Sequence, residues 1–217
     1  MEAIVKEARK LILEASYTAG ACHIGSALSC VETLVDIYWN RTNPGDTIVF
    51  SKGSGVAALY SILAIKGLFP CEDVPYYLEN YPLPSKEVPG VTVSVGSLGH
   101  GLPIAVGIAL ADRSKDVYCL ISDGEINEGT TWESILFARH HRLRNLHVIV
   151  DRNWFQACGP TEEIIQISDV FWRLQGIFPI EVVYTPKGKG IDFMEGNNDW
   201  HYKNLTKEEL ELALKQI

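Results

Sequence analysis

The sequence predicts an α/β fold with a mainly parallel sheet flanked by helices. Two apolar runs, residues 117–122 and 146–151, support this prediction because each has the length and composition of a buried strand. The segment between them is helical in pattern and long enough to cross over the sheet. Because such crossovers are right-handed and join parallel strands, both strands should end at the same edge of the sheet.

The N-terminal part of the chain is predicted to be helical. Apolar residues recur at helical spacing over residues 2–16, and Gly20 follows as a stop signal. Residues 29–32 (Ser-Cys-Val-Glu) have the pattern of a capping box, which predicts a second helix that runs through Trp39.

The middle of the chain alternates short elements with a long connection. Residues 47–50 predict a short strand, and residues 56–66 predict an apolar helix that ends at Gly67. Residues 69–90 are rich in proline, so we expect an irregular surface loop there.

The remaining elements follow a glycine-rich segment. Residues 96–101 (Gly-Ser-Leu-Gly-His-Gly) open a helix that continues through Ala111. The glycine order differs from that of the dinucleotide fingerprint, which disfavours a nicotinamide site. Residues 180–184 predict a last strand, and a capping box at 206–209 predicts the last helix.

Composition excludes several classes of protein. With 217 residues and 47% hydrophobic content, the chain can bury one good core. A net charge of −8 disfavours nucleic acid as a partner, and no apolar run approaches the ~20 residues of a membrane span. No signal peptide is recognisable, and the five cysteines include no C-x-x-C pair. We therefore expect a cytoplasmic protein with reduced thiols.

Polar residues follow both central strands. Asp123 comes directly after the first strand and Asn153 after the second, thirty residues later. Ligands bind at the carboxyl ends of parallel strands, and Mg²⁺ prefers oxygen ligands that it shares with phosphates. The pair therefore predicts a site for a metal-bound diphosphate, with Gly124 allowing close approach of the backbone. The alternative for Asp123 is a helix N-cap.

These residues resemble the thiamine-diphosphate motif, Gly-Asp-Gly followed about thirty residues later by Asn, with Ser122 in place of the first Gly. Other segments resemble, in the same order, the N-terminal, diphosphate-binding half of transketolase. These segments are residues 22–25, 51–53, 96–101, 187–190, 193–195 and 200–201. The resemblance therefore extends over nearly the whole chain.

The resemblance implies a three-layer thiamine-diphosphate-binding fold, shortened near its C-terminal part, where one βα unit between Gly176 and Pro186 is missing. It also implies thiamine diphosphate and Mg²⁺, or Ca²⁺ or Mn²⁺ in its place, as cofactors. The metal ligands would be Asp123, Asn153 and the backbone carbonyl of Phe155. The cofactor would be bound by these three residues and by Gly96, Leu98, Gly99, Gly101, Gly124 and Glu125.

The resemblance also assigns catalytic residues. They are His23, His201 and Glu128, the last in an acid chain that links two active sites in the family, and we add His100 as a candidate of this chain's own. Two family histidines are missing, because Ser54 replaces one and no Gly-His-Pro occurs between residues 82 and 95. His100 replaces the usual Gln, and it either restores an imidazole or caps the helix.

The layout resembles the two-chain transketolases. Residues 1–217 would then form a single diphosphate-binding domain, and a separate partner subunit would supply the pyrimidine-binding domain, as a heterotetramer. The implied activity is transfer of a two-carbon ketol or acyl unit between small carbonyl substrates, and only with the partner. Two alternatives remain, an α-type subunit of a 2-oxo-acid decarboxylase or acyloin-forming enzyme, and a non-catalytic scaffold subunit.

Overall fold

The computed structural model describes residues 1–217, which form ten α-helices and six β-strands. The helices, α1 to α10, are Glu2–Ala19, Ile24–Ser29, Val31–Asp36, Val56–Ile65, Val74–Asn80, Gly101–Ala111, Gly129–His140, Thr161–Ile164, Ser168–Ile177 and Lys207–Leu214. The strands, β1 to β6, are Thr47–Phe50, Val117–Ser122, Leu146–Arg152, Phe155–Gln156, Gly159–Pro160 and Ile180–Tyr184. Short 3₁₀ turns include Asp123–Asn127 and Asn198–His201, and a π-helical turn covers Ile37–Arg41.

The chain divides into two compact units. The first, made of Met1–Asn40, Ser54–Ser94 and Thr185–Ile217, contains α1 to α5 and α10. The second, made of Arg41–Gly53 and Val95–Tyr184, contains all six strands and α6 to α9. The expectation of one domain over residues 1–217 stays a prediction.

A four-stranded parallel sheet forms the centre of the second unit. Its strand order is β1-β2-β3-β6, and every neighbouring pair is parallel. All six residues of β2 are buried, as expected for a strand covered on both faces. The predicted βαβ unit is therefore confirmed, and the carboxyl ends of β1, β2 and β3 lie side by side.

Two helices of the second unit pack close to this sheet edge. Helix α6 contacts β1, β2 and β3, and α7 packs against α6 and α9. Strands β4 and β5 form a short antiparallel hairpin directly after β3. The loops after the strands and the N-termini of α6 and α7 are thus the segments that surround the predicted site.

The first unit is built on α1, as the apolar spacing predicts. Ile12 and Leu13 are fully buried, and α1 packs against α4, α5 and α10. Its end is also as predicted, because Gly20 takes the left-handed conformation (φ 59°) that terminates a helix. The predicted capping box at Thr206 and Glu209 is present at the start of α10.

The predicted capping box at residues 29–32 is wrong. Helix α3 begins at Val31 without a side-chain cap, and the Ser29 hydroxyl donates to the Ser26 carbonyl (3.0 Å). Glu32 instead accepts a hydrogen bond from Arg9 on α1 (2.7 Å) and pairs with Lys189 (2.9 Å). Tertiary ion pairs have taken the carboxylate that a capping box would need.

The predicted loop at residues 69–90 is only partly irregular. It contains α5, which buries Val74 and Leu78 and packs against α1 and α4. Pro75 lies in the first turn of α5, where its missing N–H has no helical partner to lose.

None of the ten helices combines the length and the apolar character that a membrane span requires.

A buried ion pair lies beneath the sheet edge. Lys52, just after β1, is 2.6 Å from the Asp151 carboxylate of β3, and their side chains are 1% and 0% exposed. Removing one partner of a buried pair leaves the other charge desolvated without its counter-charge, which costs about 3–5 kcal/mol.

We therefore predict that Lys52→Met lowers the free energy of unfolding by about 3–5 kcal/mol, measured by urea denaturation. Lys10→Met is the matched control, because the Lys10 side chain is 60% exposed and pairs with Glu14 at only 3.8 Å. That control should change stability by less than about 1 kcal/mol. Equal losses in the two variants would contradict the prediction.

Candidate functional site

The turn after β2 is capped by Ser122 rather than by Asp123. The Ser122 and Glu125 side chains form a capping box around the 3₁₀ turn Asp123–Asn127, with the Ser122 N–H donating to Glu125 Oε2 (2.7 Å). The N-cap alternative for Asp123 is therefore wrong. Its carboxylate remains available for another role.

The Asp123 carboxylate is buried and accepts three hydrogen bonds. Its Oδ2 accepts from the Trp154 N–H (2.9 Å) and the Thr161 hydroxyl (3.3 Å), and its Oδ1 accepts from the Gly124 N–H (2.9 Å). Because each carboxylate oxygen has two lone pairs, Oδ1 keeps capacity for one more ligand. Burial raises the pKa of Asp123 to about 6, and the Lys52 charge opposes that rise. A cation at Oδ1 would offset the cost of burial.

The turn after β3 brings the second half of the motif to Asp123. Trp154, whose N–H bonds to Asp123, has φ 72°, a left-handed conformation that is unusual for a bulky residue. The side-chain oxygen of Asn153 accepts the Phe155 N–H (3.1 Å), which closes the turn. Asp123 and the Asn153–Phe155 turn are thus directly connected.

The Glu125 carboxylate joins three segments around the site. It accepts hydrogen bonds from the Ser51 hydroxyl after β1, from the Gly99 N–H (3.2 Å) and from Ser122. Burial raises the pKa of Glu125, and these donors oppose the rise. Ser51 also accepts the Gly101 N–H (3.2 Å). Glu125 therefore fixes the glycine-rich segment to the sheet edge.

Two glycines of the predicted set are sterically required. Gly99 has φ 75°, and a Cβ there would lie 2.7 Å from the Glu128 Cβ. A Cβ at Gly101 would overlap the Ser51 side chain. The other two members of this segment, Gly96 and Leu98, are exposed. The segment thus presents backbone and Leu98 at the surface of the second unit.

His100 and Glu128 lie beside this segment. His100 is exposed, and its Nδ1 is 3.0 Å from the Leu98 carbonyl, so Nδ1 donates to that carbonyl. Glu128 is half-buried at the N-terminus of α7 and makes no capping bond with its side chain. Neither side chain makes a helix-capping hydrogen bond that would exclude its predicted catalytic role.

The other two predicted catalytic residues, His23 and His201, lie together in the first unit. Their ring centroids are 4.6 Å apart, and the His23 N–H donates to the His201 carbonyl (3.0 Å). Burial lowers the pKa of His23, and the nearby Lys187 lowers it further. The His23 Nδ1 is buried and has no hydrogen-bond partner.

Sequence motifs missed two amides near Asp123. Both polar atoms of the Asn127 side chain and the Nε2 of Gln156 are buried without hydrogen-bond partners. Asn127 ends the turn that Asp123 begins, and Gln156 packs against Gly124. No motif spacing singles them out. Unsatisfied amide donors next to a buried carboxylate fit a phosphate group with its metal.

The donor set is poor in charged ligands. The structure contains no group of three or more His, Cys, Asp or Glu residues that would hold a metal by themselves. One carboxylate, one amide and one carbonyl suit a hard cation that takes its remaining oxygens from phosphates and water. The residues present therefore fit Mg²⁺ bound together with a diphosphate.

Comparison with known proteins identifies the family. Residues 1–184 match the transketolase family in the part described as "Transketolase, thiamine diphosphate binding domain". The predictions of this family and of a thiamine-diphosphate-dependent transferase are thereby confirmed.

Two curated relatives are similar over most of their length. The apulose-4-phosphate transketolase subunit from Actinobacillus succinogenes is 34% identical, over 95% of this chain and 91% of its own. The 6-deoxy-6-sulfo-D-fructose transketolase subunit SqwG of a Clostridium species is 32% identical, over 96% and 93%. Both alignments are longer than this chain, so the relatives contain residues that have no counterpart here, in agreement with a shortened fold.

A solved structure shows the same fold. Transketolase from Leishmania mexicana superposes with a TM-score of 0.87 at 20% identity, over 98% of this chain and 40% of that one. The predicted fold class is confirmed by this match and by the parallel sheet. The chain belongs to the transketolase family and corresponds to its thiamine diphosphate binding domain.

Proposed function

We propose that this chain binds thiamine diphosphate through a Mg²⁺ ion, or Ca²⁺ or Mn²⁺ in its place, held by Asp123, Asn153 and the Phe155 carbonyl. The observation that supports this most is the hydrogen bond from the Trp154 N–H to Asp123. It connects the acid after β2 to the turn after β3, which are the two halves of the metal motif.

The diphosphate would lie against backbone and amide groups. Gly124 has no side chain and packs against Gln156, and the Asn127 and Gln156 amides offer unpaired N–H donors. Bound thiamine diphosphate supplies a centre that stabilises a carbanion, and the chain's own residues bind and orient it. Glu125 contributes by holding the glycine-rich segment, since its carboxylate already has four protein donors.

The proposed activity is transfer of a two-carbon ketol unit between carbonyl substrates. The two named relatives act, by their names, on a phosphorylated and a sulfonated ketose, so an anionic ketose is our first candidate for the donor. His23 and His201 would hydrogen-bond the substrate, and Glu128 would act in proton transfer between active sites.

The chain would work with a separate partner subunit that carries the pyrimidine-binding domain, as a heterotetramer. Support comes from the relatives whose names describe single subunits of a transketolase, which this chain covers by 90% or more. A cytoplasmic location belongs to the same proposal, and it is supported by five cysteines that are all free thiols.

The metal assignment predicts that Asp123→Ala abolishes Mg²⁺-dependent binding of thiamine diphosphate while the fold is retained. Asp123→Asn should have the same effect, because the amide keeps the shape of the side chain but loses its charge. Isothermal titration of the chain assembled with its partner measures the binding, and circular dichroism checks the fold.

Asp169→Ala is the control, because Asp169 is an exposed carboxylate in the first turn of α9. It should bind the cofactor as the unmodified chain does. Unchanged affinity in both Asp123 variants would refute the metal site.

The assignment of His100 as a replacement imidazole predicts that His100→Gln lowers kcat by about 10²-fold or more, as for loss of a general acid or base. The rate is measured on the assembled enzyme with a ketose that the unmodified enzyme turns over. His140, on α7, is also an exposed histidine, and His140→Gln should leave kcat unchanged within a few-fold. If His100 only ends the turn before α6, its replacement will behave like this control.

A further inference from the structure

A buried lysine contacts the imidazole of His201. Lys187 is 0% exposed, and its Nζ lies 2.7 Å from the Asn198 side-chain oxygen and 2.8 Å from the Nδ1 of His201. Asn198 and His201 are the two ends of one 3₁₀ turn. The ammonium group therefore connects both ends of that turn.

The direction of the bond to His201 follows from chemistry. In its ammonium form, the ordinary state of lysine at neutral pH, Lys187 has three donors and no acceptor, so the His201 Nδ1 accepts. An accepting nitrogen carries no proton, and a neutral imidazole then carries its single proton on Nε2. A positive charge at this distance also disfavours the doubly protonated ring.

We propose that Lys187 is a positioning residue that holds His201 as the neutral, Nε2-protonated tautomer. His201 would then meet a ligand as a fixed hydrogen-bond donor and not as a proton acceptor. The donor role rests on the proposed function, in which His201 hydrogen-bonds the substrate. The tautomer itself depends only on contacts within the first unit.

Three contacts involve Lys187 and the two residues that follow it. The Gly188 N–H donates to the Gly25 carbonyl (2.9 Å), which attaches the lysine loop to α2. A Cβ at Gly25 would be 3.2 Å from the Lys187 Cγ, so the glycine makes room for the side chain. Arg9 Nε donates to the Lys189 carbonyl (3.1 Å) on the far side of the loop. The backbone of the two residues after Lys187 is therefore fixed by contacts with α1 and α2.

The ring of His201 is equally constrained. It packs edge-on against His23 at 4.6 Å and against Tyr202 at 4.9 Å, and its own carbonyl accepts the His23 N–H. The titratable groups that contact the ring include His23, Tyr202 and Lys187, and Asn198 is a neutral partner of the lysine. Among these groups only the lysine is ordinarily a cation at neutral pH.

The test is a ¹⁵N NMR spectrum of the histidine side chains in the chain of residues 1–217. The spectrum distinguishes protonated from unprotonated ring nitrogens, and loss of signals in His201→Gln assigns the residue. We expect Nδ1 unprotonated and Nε2 protonated at neutral pH. In Lys187→Met the ring should become a mixture of tautomers, and its pKa should rise by about one unit or more because the like charge is removed.

Lys189→Met is the matched control. Lys189 lies two residues away in the same loop, is 36% exposed in its side chain and pairs with Glu32. The substitution Lys189→Met removes one positive charge from the same loop but removes no contact with His201, so the His201 signals should not change.

Two results would overturn the proposal. One is an Nδ1-protonated His201 in the unmodified chain, and the other is an unchanged His201 spectrum in a folded Lys187→Met variant. If that variant does not fold, the spectrum of the unmodified chain decides alone. No cofactor, substrate or partner enters the measurement, so its outcome is separate from that of the proposed function.

Discussion

The buried carboxylate of Glu125 is the constraint on which the site depends. It accepts hydrogen bonds from the segment after β1, from the glycine-rich segment before α6 and from the end of β2. A buried carboxylate without donors is costly, and with four donors it becomes a rigid joint between separate pieces of chain. The three segments that Glu125 joins therefore have a common reference point at the carboxyl edge of the sheet.

Glu125 helps to cap the turn after β2, so Asp123 does not have to serve both as the cap and as the proposed metal ligand. Ser122 and Glu125 cap the turn, so Asp123 is not needed as a cap. The charges of Lys52 and Asp151 lie nearby and act on the Asp123 carboxylate in opposite directions. Burial is then the main cause of the raised pKa of Asp123, and it favours either a proton or a bound cation on this carboxylate.

The sequence predicts those features that depend on short-range pattern. The strands at 117–122 and 146–151, their parallel pairing and the meeting of Asp123 with the turn after Asn153 all follow from apolar runs and spacing. The failures depend on partners far along the chain. Glu32 forms ion pairs with Arg9 and Lys189 instead of the predicted capping box. Helix α5 forms in a proline-rich segment because α1 and α4 bury its apolar face. The unpaired amides of Asn127 and Gln156 follow no pattern.

Strained backbone conformations occur next to two predicted site residues, His201 and Asp123. Only three non-glycine residues have positive φ, and two of them are His23 (φ 65°) and Trp154 (φ 72°). Each costs about 1–3 kcal/mol and persists only where surrounding contacts enforce it. In both cases the strained residue donates its own N–H to a predicted site residue, His23 to the His201 carbonyl and Trp154 to the Asp123 carboxylate. A relaxed backbone would move that N–H away, so the strain is the means by which these two turns hold His201 and Asp123.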